Sequence, residues 1–574
     1  MPGVLDATTR TEALRKLAEG PLDILIIGGG ITGAGAALDA AARGLRVGLV
    51  ESRDLASGTS SRSSKLIHGG LRYLEQRDFK LVKEALRERD LLVSKLAPHL
   101  VKPLPFLYPL YKKVVERPYV GAGLVLYDAM EGTKRPVPHH RHLTARGALG
   151  RAPALSPERL AGAMVYYDAQ VDDARHTLTV ARTAAAHGAI IVTRASATEL
   201  LRSTGGARVT GARVRDEETG RVIDVSARAV VVCAGVWTDP VHEEGGVKAG
   251  YRVRMSKGVH LVMPRSAIDA STGMIIRTEK SVLFFIPWGD DRWIVGTTDT
   301  DWSGDRAEPA ATVEDVDYIL TQANRVLERP LTRSDVTGIY AGLRPLVEAA
   351  AAETAPQKFV PTTKLSREHV VDAPVPGLVS IAGGKFTTYR LMARDVIDAA
   401  AASLDGTSVP ESVTDQLPLL GADGLPAVRA AARRISEDYR VPLEAVEHLV
   451  TRYGSLVTEV LDPITRDRSL ADRLADGYPY LRAEVAYAVT HEGALHIEDV
   501  LARRVRLLIE SPDAGVSAAP AVGAIMAGLL GWGRRRRAAE VKRYIEFAET
   551  STEALRSPDT LPPADVDPEV AVPA

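Results

Sequence analysis

Cysteine is nearly absent from this chain of 574 residues, which contains only Cys233. This residue lies in the run AVVVCAG, whose apolar neighbours are typical of a buried strand. A single cysteine excludes a disulfide framework and a cysteine-ligated zinc or iron–sulfur site. A thiol inside an apolar strand is more often a small packing residue than a nucleophile. We therefore expect Cys233 to have a packing role.

An excess of charge of one sign is also absent, since 72 Lys and Arg residues balance 73 Asp and Glu residues. A nucleic-acid-binding protein would need a strongly basic surface, and this balance does not indicate one. Long apolar runs are missing too, because no segment reaches the about 20 apolar residues of a membrane-spanning helix. Residues 1–20 contain Asp6, Glu12 and Glu19 in place of the apolar centre of a secretory signal. We therefore expect a cytoplasmic location, with attachment to a membrane surface left open.

The most informative segment that is present covers residues 24–51, ILIIGGGITGAGAALDAAARGLRVGLVE. An apolar strand leads into Gly28, Gly30 and Gly33, an alanine-rich helix follows, and a second strand ends at Glu51. In such a G-x-G-x-x-G turn the glycines permit a tight bend, approach to a pyrophosphate and close helix packing. The helix N-terminus favours phosphate, and the acidic residue is placed to bind a ribose. The glycine turn (residues 28–33) therefore predicts an adenine dinucleotide site, with an unrelated α/β turn as the alternative.

Three later segments favour FAD over NAD as this dinucleotide. The serine segment, SGTSSRSSK at 57–65, offers hydroxyls and backbone amides to a pyrophosphate and a ribityl chain. The strand VVVCAGVWTD at 230–239 is of the kind that closes over the adenine side in glutathione-reductase-like proteins. In IAGGKFTTYRLMA, at 381–393, a helix N-terminus and Lys385 would favour negative charge on a reduced flavin. A solvated serine loop and an ordinary core strand are the structural alternatives for the first two segments.

Several of these motifs resemble those of the FAD-dependent, membrane-associated glycerol-3-phosphate dehydrogenases. Residues 27–44 are similar to the N-terminal signature of that family, including Asp39, Arg43 and Gly44, and residues 383–393 are similar to its second signature. Further similar blocks lie at 58–75, 256–262, 296–302, 341–346, 363–371 and 484–508. The resemblance implies oxidation of sn-glycerol 3-phosphate to dihydroxyacetone phosphate by hydride transfer to non-covalent FAD, with a membrane quinone as the final acceptor.

The resemblance also implies an α/β plus α fold of about two or three domains, which suits a chain of this length. These are a glutathione-reductase-like FAD-binding Rossmann domain, an interleaved antiparallel β-rich substrate (cap) domain and a helical C-terminal domain. We expect the FAD-binding domain at 20–100, 161–250 and 337–400, the cap domain at 101–160 and 251–336, the helical domain at 401–549, and a disordered tail at 550–574.

Local patterns add detail to this plan. The segment 58–96 passes from a hydroxyl-rich loop into an amphipathic helix, and 97–140 has the prolines of an irregular region. A strand–helix–strand unit is predicted at 161–235, within the FAD-binding domain. Two strands around a Gly-Asp-Asp turn are predicted at 281–301. The proline-rich, acidic residues 551–574 are typical of disorder.

A phosphorylated substrate carries a charge of about −1.5 to −2, so its pocket needs fixed cations. Arg72, Arg344, Arg367 and Lys385 lie in segments that should converge on the flavin, and guanidinium groups bind phosphate bidentately. Each cation alone would more often be a surface charge. By resemblance to the family, the substrate site is expected to comprise Arg72, Tyr73, His260, Arg344, Arg367 and Lys385.

Substrate oxidation also needs a base for the proton of the C2 hydroxyl. His260, in SKGVHLV, is our candidate because histidine titrates near neutral pH. His68 and His369 are alternative candidates for this base. His260 could also be an ordinary core residue without a catalytic role. Arg344 could stabilise the developing alkoxide instead, and Lys385 completes the predicted catalytic set.

The predicted cofactor contacts come from the glycine turn, the acidic residue that ends the second strand, the serine segment, the two later flavin segments and the block at 296–302. They are Gly28, Gly30, Ile31, Thr32, Gly33, Glu51, Thr59, Ser60, Ser61, Ser64, Lys65, Ala234, Gly235, Asp299, Gly384, Lys385, Phe386 and Thr387. No metal site is predicted.

Two segments have a composition that suits a membrane surface. Residues 103–130 combine aromatic and apolar residues with Lys112, Lys113 and Arg117, and core packing is the alternative. The run 534–537 consists of four arginines and could face anionic lipid or water. A peripheral position on the inner membrane and a homodimer are expectations from the family.

Four other functions remain as alternatives. A glycerol-3-phosphate oxidase would pass electrons to oxygen, but those relatives carry an insertion that this sequence lacks. An amine or hydroxy-acid oxidase of the same fold would need fewer cations. A tRNA-modifying flavoprotein would need reactive cysteines and a basic surface, and an NAD-linked dehydrogenase would leave the segments at 57–65 and 381–393 unexplained.

Overall fold

The computed structural model describes residues 3–75, 78–112, 116–130, 135–279, 281–349, 365 and 367–556, with the side chains of Arg72 and Glu75 excepted. Two large sheets organise these residues. The first sheet has the order β17-β18-β10-β1-β2-β7, and β8 and β9 extend it through β10. Its strands are β1 (Leu22–Ile27), β2 (Val47–Val50), β7 (Ile190–Val192), β8 (Ala195–Arg202), β9 (Val209–Asp216), β10 (Val222–Val232), β17 (His369–Val375) and β18 (Leu378–Gly383).

The strand β1 is apolar throughout because both faces of this sheet are covered. It pairs in parallel with β10 on one side and β2 on the other. Ile24 and Ile26 belong to one core cluster, and Leu25 and Ile27 belong to another on the opposite face. A continuous apolar run is what a parallel strand buried on both faces requires.

The second sheet has the order β15-β11-β14-β13-β12-β4-β6-β3, with β16 paired to β11 and β5 paired to β6. Most of its pairs are antiparallel, although β4 and β12 run in parallel. Its strands are β3 (Leu66–Ile67), β4 (Lys102–Leu110), β5 (Arg141–Thr144), β6 (Gly162–Gln170), β11 (Tyr251–Pro264), β12 (Gly273–Arg277), β13 (Val282–Trp288), β14 (Arg292–Gly296), β15 (Thr300–Trp302) and β16 (Gly338–Ala349).

Helices cover both sheets and form the C-terminal region. The helices of the first part are α1 (Ala7–Ala18), α2 (Ile31–Ala42), α3 (Arg72–Glu75), α4 (Phe79–Leu91), α5 (Glu116–Met130), α6 (Ala145–Leu149), α7 (Asp173–Ala186), α8 (Thr238–Glu244), α9 (Val313–Asn324) and α10 (Tyr389–Ala401). Those of the C-terminal part are α11 (Leu425–Tyr439), α12 (Leu443–Tyr453), α13 (Val457–Leu461), α14 (Arg482–His491), α15 (Leu507–Glu510), α16 (Ala519–Leu530), α17 (Arg534–Ser551) and α18 (Glu553–Arg556). Within the described ranges, none of these helices is both long and apolar enough to cross a membrane.

One expectation about local structure is wrong, and the expected domain bounds stay a prediction. The segment 97–140 is not irregular, because it contains β4 and α5. The strands β6 and β16 belong to the second sheet, and their residues fall within the ranges expected for the FAD-binding domain. An apolar strand cannot reveal its sheet by its own sequence, because the distant strand that it pairs with decides this.

The range expected for the disordered tail begins inside helical structure. The helix α17 ends at Ser551, α18 covers Glu553–Arg556, and Ala554 is buried against the core of the second sheet. Residues 557–574 lie outside the described part of the chain.

The C-terminal helices contact the first sheet through buried charges. His496 is one of them, and it lies between Glu218 of the β9–β10 turn and Glu540 of α17. Its Nε2 is 2.7 Å from a Glu218 oxygen, and its Nδ1 is 3.1 Å from both Glu540 oxygens. Burial opposes the charged form, but the two carboxylates outweigh this effect and raise the pKa of His496.

Replacing His496 with glutamine is therefore expected to destabilise the protein in a pH-dependent way. A histidine with a raised folded-state pKa contributes its full stabilisation below its unfolded pKa of about 6.5. That contribution disappears as the pH rises through the folded-state pKa. The difference in melting temperature between wild type and His496→Gln should therefore be largest in mildly acidic buffer and shrink in alkaline buffer. A difference that is constant over this range would contradict the assignment.

Candidate active site

A cavity of about 730 Å³ lies between the two sheets and extends from Glu51 to Lys385. This volume is within the range of small-molecule and cofactor sites. Its walls come from the glycine turn, the serine segment, residues 233–237, the first part of β8, β11, β16 and residues 381–387. The four segments that the sequence analysis assigned to a flavin therefore converge on one cavity.

The three glycines of the glycine turn have different roles. Gly28 has φ +114°, and a Cβ atom there would lie 2.6 Å from the carbonyl oxygen of Cys233. A Cβ atom on Gly33 would lie 1.9 Å from the carbonyl oxygen of Gly28, so this glycine lets α2 pack on the turn. Gly28 and Gly30 line the cavity, whereas Gly33 does not. Gly33 therefore lets the helix pack against the turn, and its contact with the cofactor stays a prediction.

Glu51 holds the glycine turn against the end of β2. One carboxylate oxygen accepts a hydrogen bond of 2.7 Å from the N–H of Gly29, and the other accepts one of 2.8 Å from the N–H of Arg53. Burial raises the pKa of Glu51, and these hydrogen bonds oppose that rise. The side chain lines the cavity at the end predicted for the ribose.

The serine segment crosses from α2 to the second sheet. Its short helical turn, Thr59–Ser61, places the Ser60 hydroxyl 2.9 Å from the N–H of Ile31, which donates to it. The Thr59 hydroxyl donates to the carbonyl of Leu343 on β16 at 2.6 Å. Thr59, Ser60 and Ser64 line the cavity, as do Ile31 and Thr32. The segment therefore forms the wall between the glycine turn and the substrate end.

Three residues predicted to contact the cofactor do not line the cavity, and their contact with it stays a prediction. Ser61 and Lys65 do not line the cavity, because the Lys65 ammonium is buried 2.8 Å from Asp173 and 3.0 Å from the carbonyl of Ser61. Asp299 also lies outside the lining, where its carboxylate approaches Arg367 at 3.3 Å. The sequence could not show which side of a polar loop faces a ligand, since this depends on the elements behind it.

The remaining flavin segments both line the cavity as predicted. Residues Ala234 and Gly235 lie where β10 ends, and Gly384, Lys385, Phe386 and Thr387 lie between β18 and α10. Gly384 has φ +82°, and a Cβ atom there would lie 2.4 Å from the sulfur of Met392. The Thr387 hydroxyl accepts a hydrogen bond of 3.1 Å from the N–H of His68, which brings that histidine to the cavity wall.

The signature residues Asp39 and Arg43 lie behind the site. They form a buried ion pair of 2.5 Å on α2, and Arg43 also contacts Asp398 of α10 at 2.6 Å. This pair fastens the helix of the glycine turn to the helix of the second signature. Its role is structural, and neither residue lines the cavity.

His260 lies on β11 at the substrate end and is 2% exposed. Its ring stacks on Tyr340 of β16, with ring centroids 4.8 Å apart and an interplanar angle of 10°. The Ser64 hydroxyl is 2.9 Å from Nε2. Burial, and then the charges of Arg344 and Lys65, hold the pKa of His260 well below its usual range. This shift favours the neutral ring, which is the form that a general base must have.

The two alternative histidines have different positions. His68 lines the cavity and stays a candidate base. His369 does not line it, because its Nε2 lies 2.9 Å from a carboxylate oxygen of Asp395 on α10. The structure therefore leaves His260 and His68 as candidates.

Three of the four predicted cations line the same end of the cavity. Arg344 donates hydrogen bonds to the Ser256 hydroxyl at 3.2 Å and to the Thr297 hydroxyl at 3.1 Å, which fix its guanidinium group. Gly258 leaves room for this group, since a Cβ atom there would lie 2.5 Å from Arg344 Nη2. Arg367 is held by Asp299 at 3.3 Å, as described above. The Arg72 side chain lies outside the described part of the chain.

The third cation, Lys385, contacts an aromatic ring. Its ammonium lies 3.4 Å from the ring centroid of Tyr73, and both residues line the cavity. Tyr73 is otherwise buried. The predicted substrate residues Tyr73, His260, Arg344, Arg367 and Lys385 are therefore together in space.

Several lining residues were missed by the sequence analysis. Arg62 and Ser63 lie inside the predicted serine segment, so their signal was present but was not used. Burial, and then the charge of Arg53, lowers the pKa of Arg62 to about 10. Residues 195–198 of β8 and the Trp237 side chain also line the cavity, and no local motif marks them. Among the described residues, no group of three or more His, Cys, Asp or Glu side chains could hold a metal ion.

Adding a methyl group to Gly30 is expected to weaken cofactor binding without unfolding the protein. The new Cβ atom would lie 3.1 Å from the Ser60 hydroxyl, where the backbone faces the cavity. Overpacking of this kind costs about 1–3 kcal/mol, which corresponds to an about 5- to 150-fold higher dissociation constant for FAD. Flavin content after gel filtration measures this effect. Gly528→Ala is the control because its Cβ atom would meet nothing within 4 Å, and equal flavin retention in both variants would contradict the prediction.

The chain is similar to known FAD-dependent proteins. Residues 23–398 match the family model described as FAD dependent oxidoreductase, and residues 412–537 match the C-terminal domain of alpha-glycerophosphate oxidase. Glycerol-3-phosphate dehydrogenase 2 of Mycobacterium tuberculosis is 50% identical over 555 residues, which cover 97% of this chain and 93% of that protein.

Solved structures are also similar. The FAD complex of glycerol-3-phosphate dehydrogenase from Bacillus halodurans superposes with a TM-score of 0.77 at 30% identity, covering 96% of this chain and 100% of that one. L-alpha-glycerophosphate oxidase from Mycoplasma pneumoniae shares the fold, with a TM-score of 0.53 at 16% identity over 70% of this chain and 99% of that one. These similarities confirm the predicted fold class and FAD as the cofactor.

Proposed function

The chain belongs to the family of FAD-dependent glycerol-3-phosphate dehydrogenases, and on this basis we propose that it oxidises sn-glycerol 3-phosphate to dihydroxyacetone phosphate. The observation that carries the proposal is the grouping of Arg344, Arg367, Lys385 and His260 at one end of a cavity whose other end is the glycine turn. This arrangement offers cations for a phosphate and a base for a hydroxyl beside a flavin site.

The residues present fit FAD. The glycine turn leaves backbone exposed to the cavity where a side chain at Gly30 would meet Ser60, and Glu51 lines the predicted ribose end. We propose that Gly28, Gly30, Glu51 and the serine segment hold the adenosine and pyrophosphate, and that residues 384–387 lie against the flavin ring. Bound FAD supplies the two-electron acceptor for the hydride that leaves C2 of the substrate.

We assign the phosphate of the substrate to the cations of this end. The Arg344 guanidinium is fixed by Ser256 and Thr297, so little side-chain entropy is lost when it binds an anion. Asp299 fixes Arg367 in the same way from outside the cavity. A dianionic phosphate is the ligand that Arg344, Arg367 and Lys385 would together neutralise best.

We assign the proton of the C2 hydroxyl to His260. Its ring is neutral because burial and two nearby cations disfavour the charged form. Stacking on Tyr340 and the hydrogen bond with Ser64 fix the orientation of the ring. The phosphate cations would then place the hydroxyl against the ring, and the imidazole would hold the proton that the reaction releases.

We propose a membrane quinone as the electron acceptor and a peripheral position on the cytoplasmic membrane. Support comes from α5, whose exposed residues are apolar or aromatic and include Tyr119 and Val125, each 57% exposed. Such a face suits the boundary between lipid headgroups and acyl chains. Only the helical part of 103–130 can serve, because β4 (102–110) is mostly buried. Lys113 lies outside the described residues, and a homodimer stays an expectation.

The proposal is tested by adding glycerol 3-phosphate to the purified protein under anaerobic conditions and recording the flavin spectrum. Bleaching of the oxidised-flavin band is expected, and glycerol without the phosphate should bleach it far more slowly. An unchanged spectrum would overturn the substrate assignment.

The electron acceptor is tested by comparing the rates at which a soluble quinone analogue and oxygen reoxidise the reduced flavin. Faster reoxidation by oxygen would favour the oxidase, to which one matched family model refers by name.

A further inference from the structure

The C-terminal helical domain reaches the flavin site through three buried arginines. The segment Asp499–Arg504 ends in Arg503 and Arg504, and Arg506 follows before α15. Each of these side chains is at most 4% exposed. We call Arg503, Arg504 and Arg506 the arginine cluster. Burying three guanidinium groups is costly unless each has a fixed acceptor, so their partners indicate what the cluster does.

One set of partners lies at the C-terminal end of the serine segment. Arg506 Nη2 donates to the carbonyl of Ser61 at 2.7 Å and lies 3.2 Å from a carboxylate oxygen of Asp173. The same Asp173 accepts hydrogen bonds from the N–H and the hydroxyl of Ser63, at 2.9 and 2.7 Å, and pairs with Lys65 at 2.8 Å. Asp173 is fully buried. Arg506 and Asp173 together therefore fix residues 61–65.

The other set of partners lies just before the N-terminal end of the segment. Asp54 is 1% exposed, and its carboxylate lies 2.5 Å from Arg503 Nε and 2.9 Å from Arg504 Nη2. The carbonyl of Asp54 accepts a hydrogen bond of 3.0 Å from the N–H of Ser57. Both ends of the serine segment are therefore attached to residues 503–506 of the C-terminal domain.

The arginine cluster holds in place the side of the serine segment that lines the cavity. Ser60 and Ser64 line the cavity. Ser64 contacts His260 at 2.9 Å, and the carbonyl of Ser63 accepts a hydrogen bond of 3.0 Å from Tyr340, on which His260 stacks. A displacement of the segment would therefore move the cofactor wall and the histidine together.

We infer that the arginine cluster consists of positioning residues for the flavin site, so that the C-terminal domain completes the cofactor wall through Asp54, Asp173 and the carbonyl of Ser61. The inference depends on FAD binding and not on the identity of the substrate proposed above. A helical domain without a single residue in the cavity lining would thereby control how tightly the cofactor is held.

The test compares two arginines at the same domain contact. Arg506→Met removes the contacts to Ser61 and Asp173, while Asp173 keeps Lys65 as its partner. Arg182→Met is the matched control, because Arg182 is also buried, at 4%, where α7 contacts the C-terminal domain. Arg182 donates to the carbonyl of Gly3 and to the hydroxyl of Tyr487, and neither partner belongs to the serine segment or to the arginine cluster. Loss of a hydrogen bond from a charged donor predicts an about tenfold or greater rise in the FAD dissociation constant for Arg506→Met.

Release of FAD from the full-length holoprotein on dilution, followed by flavin fluorescence, measures this difference. The control should lose thermal stability but keep FAD affinity within about twofold of wild type. Equal FAD dissociation constants in the two methionine variants would overturn the inference. If Arg506→Met does not fold, Arg506→Lys is compared with Arg182→Lys, and only the first should release FAD faster. Equal release from both lysine variants would overturn the inference as well. Failure of glycerol 3-phosphate to reduce the flavin would leave this result unaffected and would count only against the proposed substrate.

Discussion

Replacement of His260 by asparagine is expected to lower kcat for glycerol 3-phosphate by about 10²- to 10⁴-fold, the usual contribution of a positioned general base. The variant should still bind FAD, because His260 lies at the substrate end of the cavity and the glycine turn at the other end is unchanged. Anaerobic stopped-flow reduction of the flavin measures the chemical step directly. The loss should appear in the limiting rate of reduction rather than in the substrate concentration that gives half of it.

Two other histidines provide the controls for this experiment. His369→Asn should leave the rate of reduction nearly unchanged, since His369 pairs with Asp395 outside the cavity lining. His68→Asn tests the competing base. A large loss in the His68 variant together with a normal rate in His260→Asn would transfer the role of base to His68.

The pH profile gives a second test of the same assignment. A base must be unprotonated to act, and the environment of His260 holds its pKa well below the usual range. The rate of flavin reduction should therefore stay level as the pH falls through about 6.5, where an ordinary histidine would begin to protonate. A decline in rate centred near that pH would contradict the pKa that the buried position gives to His260.

Replacement of Arg344 by methionine is the second change with a large expected effect. Loss of one partner of a buried, hydrogen-bonded charge contact costs about 2–5 kcal/mol, or about 30- to 5000-fold in kcat/KM. The cost should be high here because Ser256, Thr297 and the carbonyl of Thr298 fix the guanidinium. Inhibition by inorganic phosphate should weaken in parallel, since phosphate would use the same cation.

Arg254→Met is the matched control for Arg344. Arg254 lies on β11, which pairs with the strand of Arg344, and it contacts Asp301 at 2.9 Å. It does not line the cavity, so kcat/KM and phosphate inhibition should change by less than about twofold. If Arg344→Met kept its sensitivity to phosphate while losing kcat, stabilisation of the alkoxide would be the better role for Arg344.

The C-terminal domain changes how such variants should be interpreted. Ion pairs connect it to the buried Asp54 and Asp173 and to Glu218 of the β9–β10 turn. Removing one partner of a buried pair is strongly destabilising, because the other charge is left uncompensated. Substitutions in residues 496–506 should therefore be judged by both thermal stability and FAD affinity, as the comparison of Arg506 with Arg182 does.

The sequence by itself determined the chemistry of the cofactor site. The tight turn at Gly28, the helix contact at Gly33 and the positive φ of Gly384 depend on local backbone geometry, so residue type and spacing reveal them directly. The family resemblance added the substrate residues. Of these, Tyr73, His260, Arg344, Arg367 and Lys385 come together in the structure, and the Arg72 side chain lies outside the described residues.

Only the tertiary structure decided which side of each segment faces the cavity and what lies behind it. Ser60 and Ser64 face the cavity while Ser61 and Lys65 face Asp173 and Arg506, although all four share one polar loop. The strands β6 and β16 joined the second sheet for a similar reason. Strand pairing and the burial of charge bring together residues that lie hundreds of positions apart in the chain. The sequence around a residue therefore does not show which distant residues it contacts.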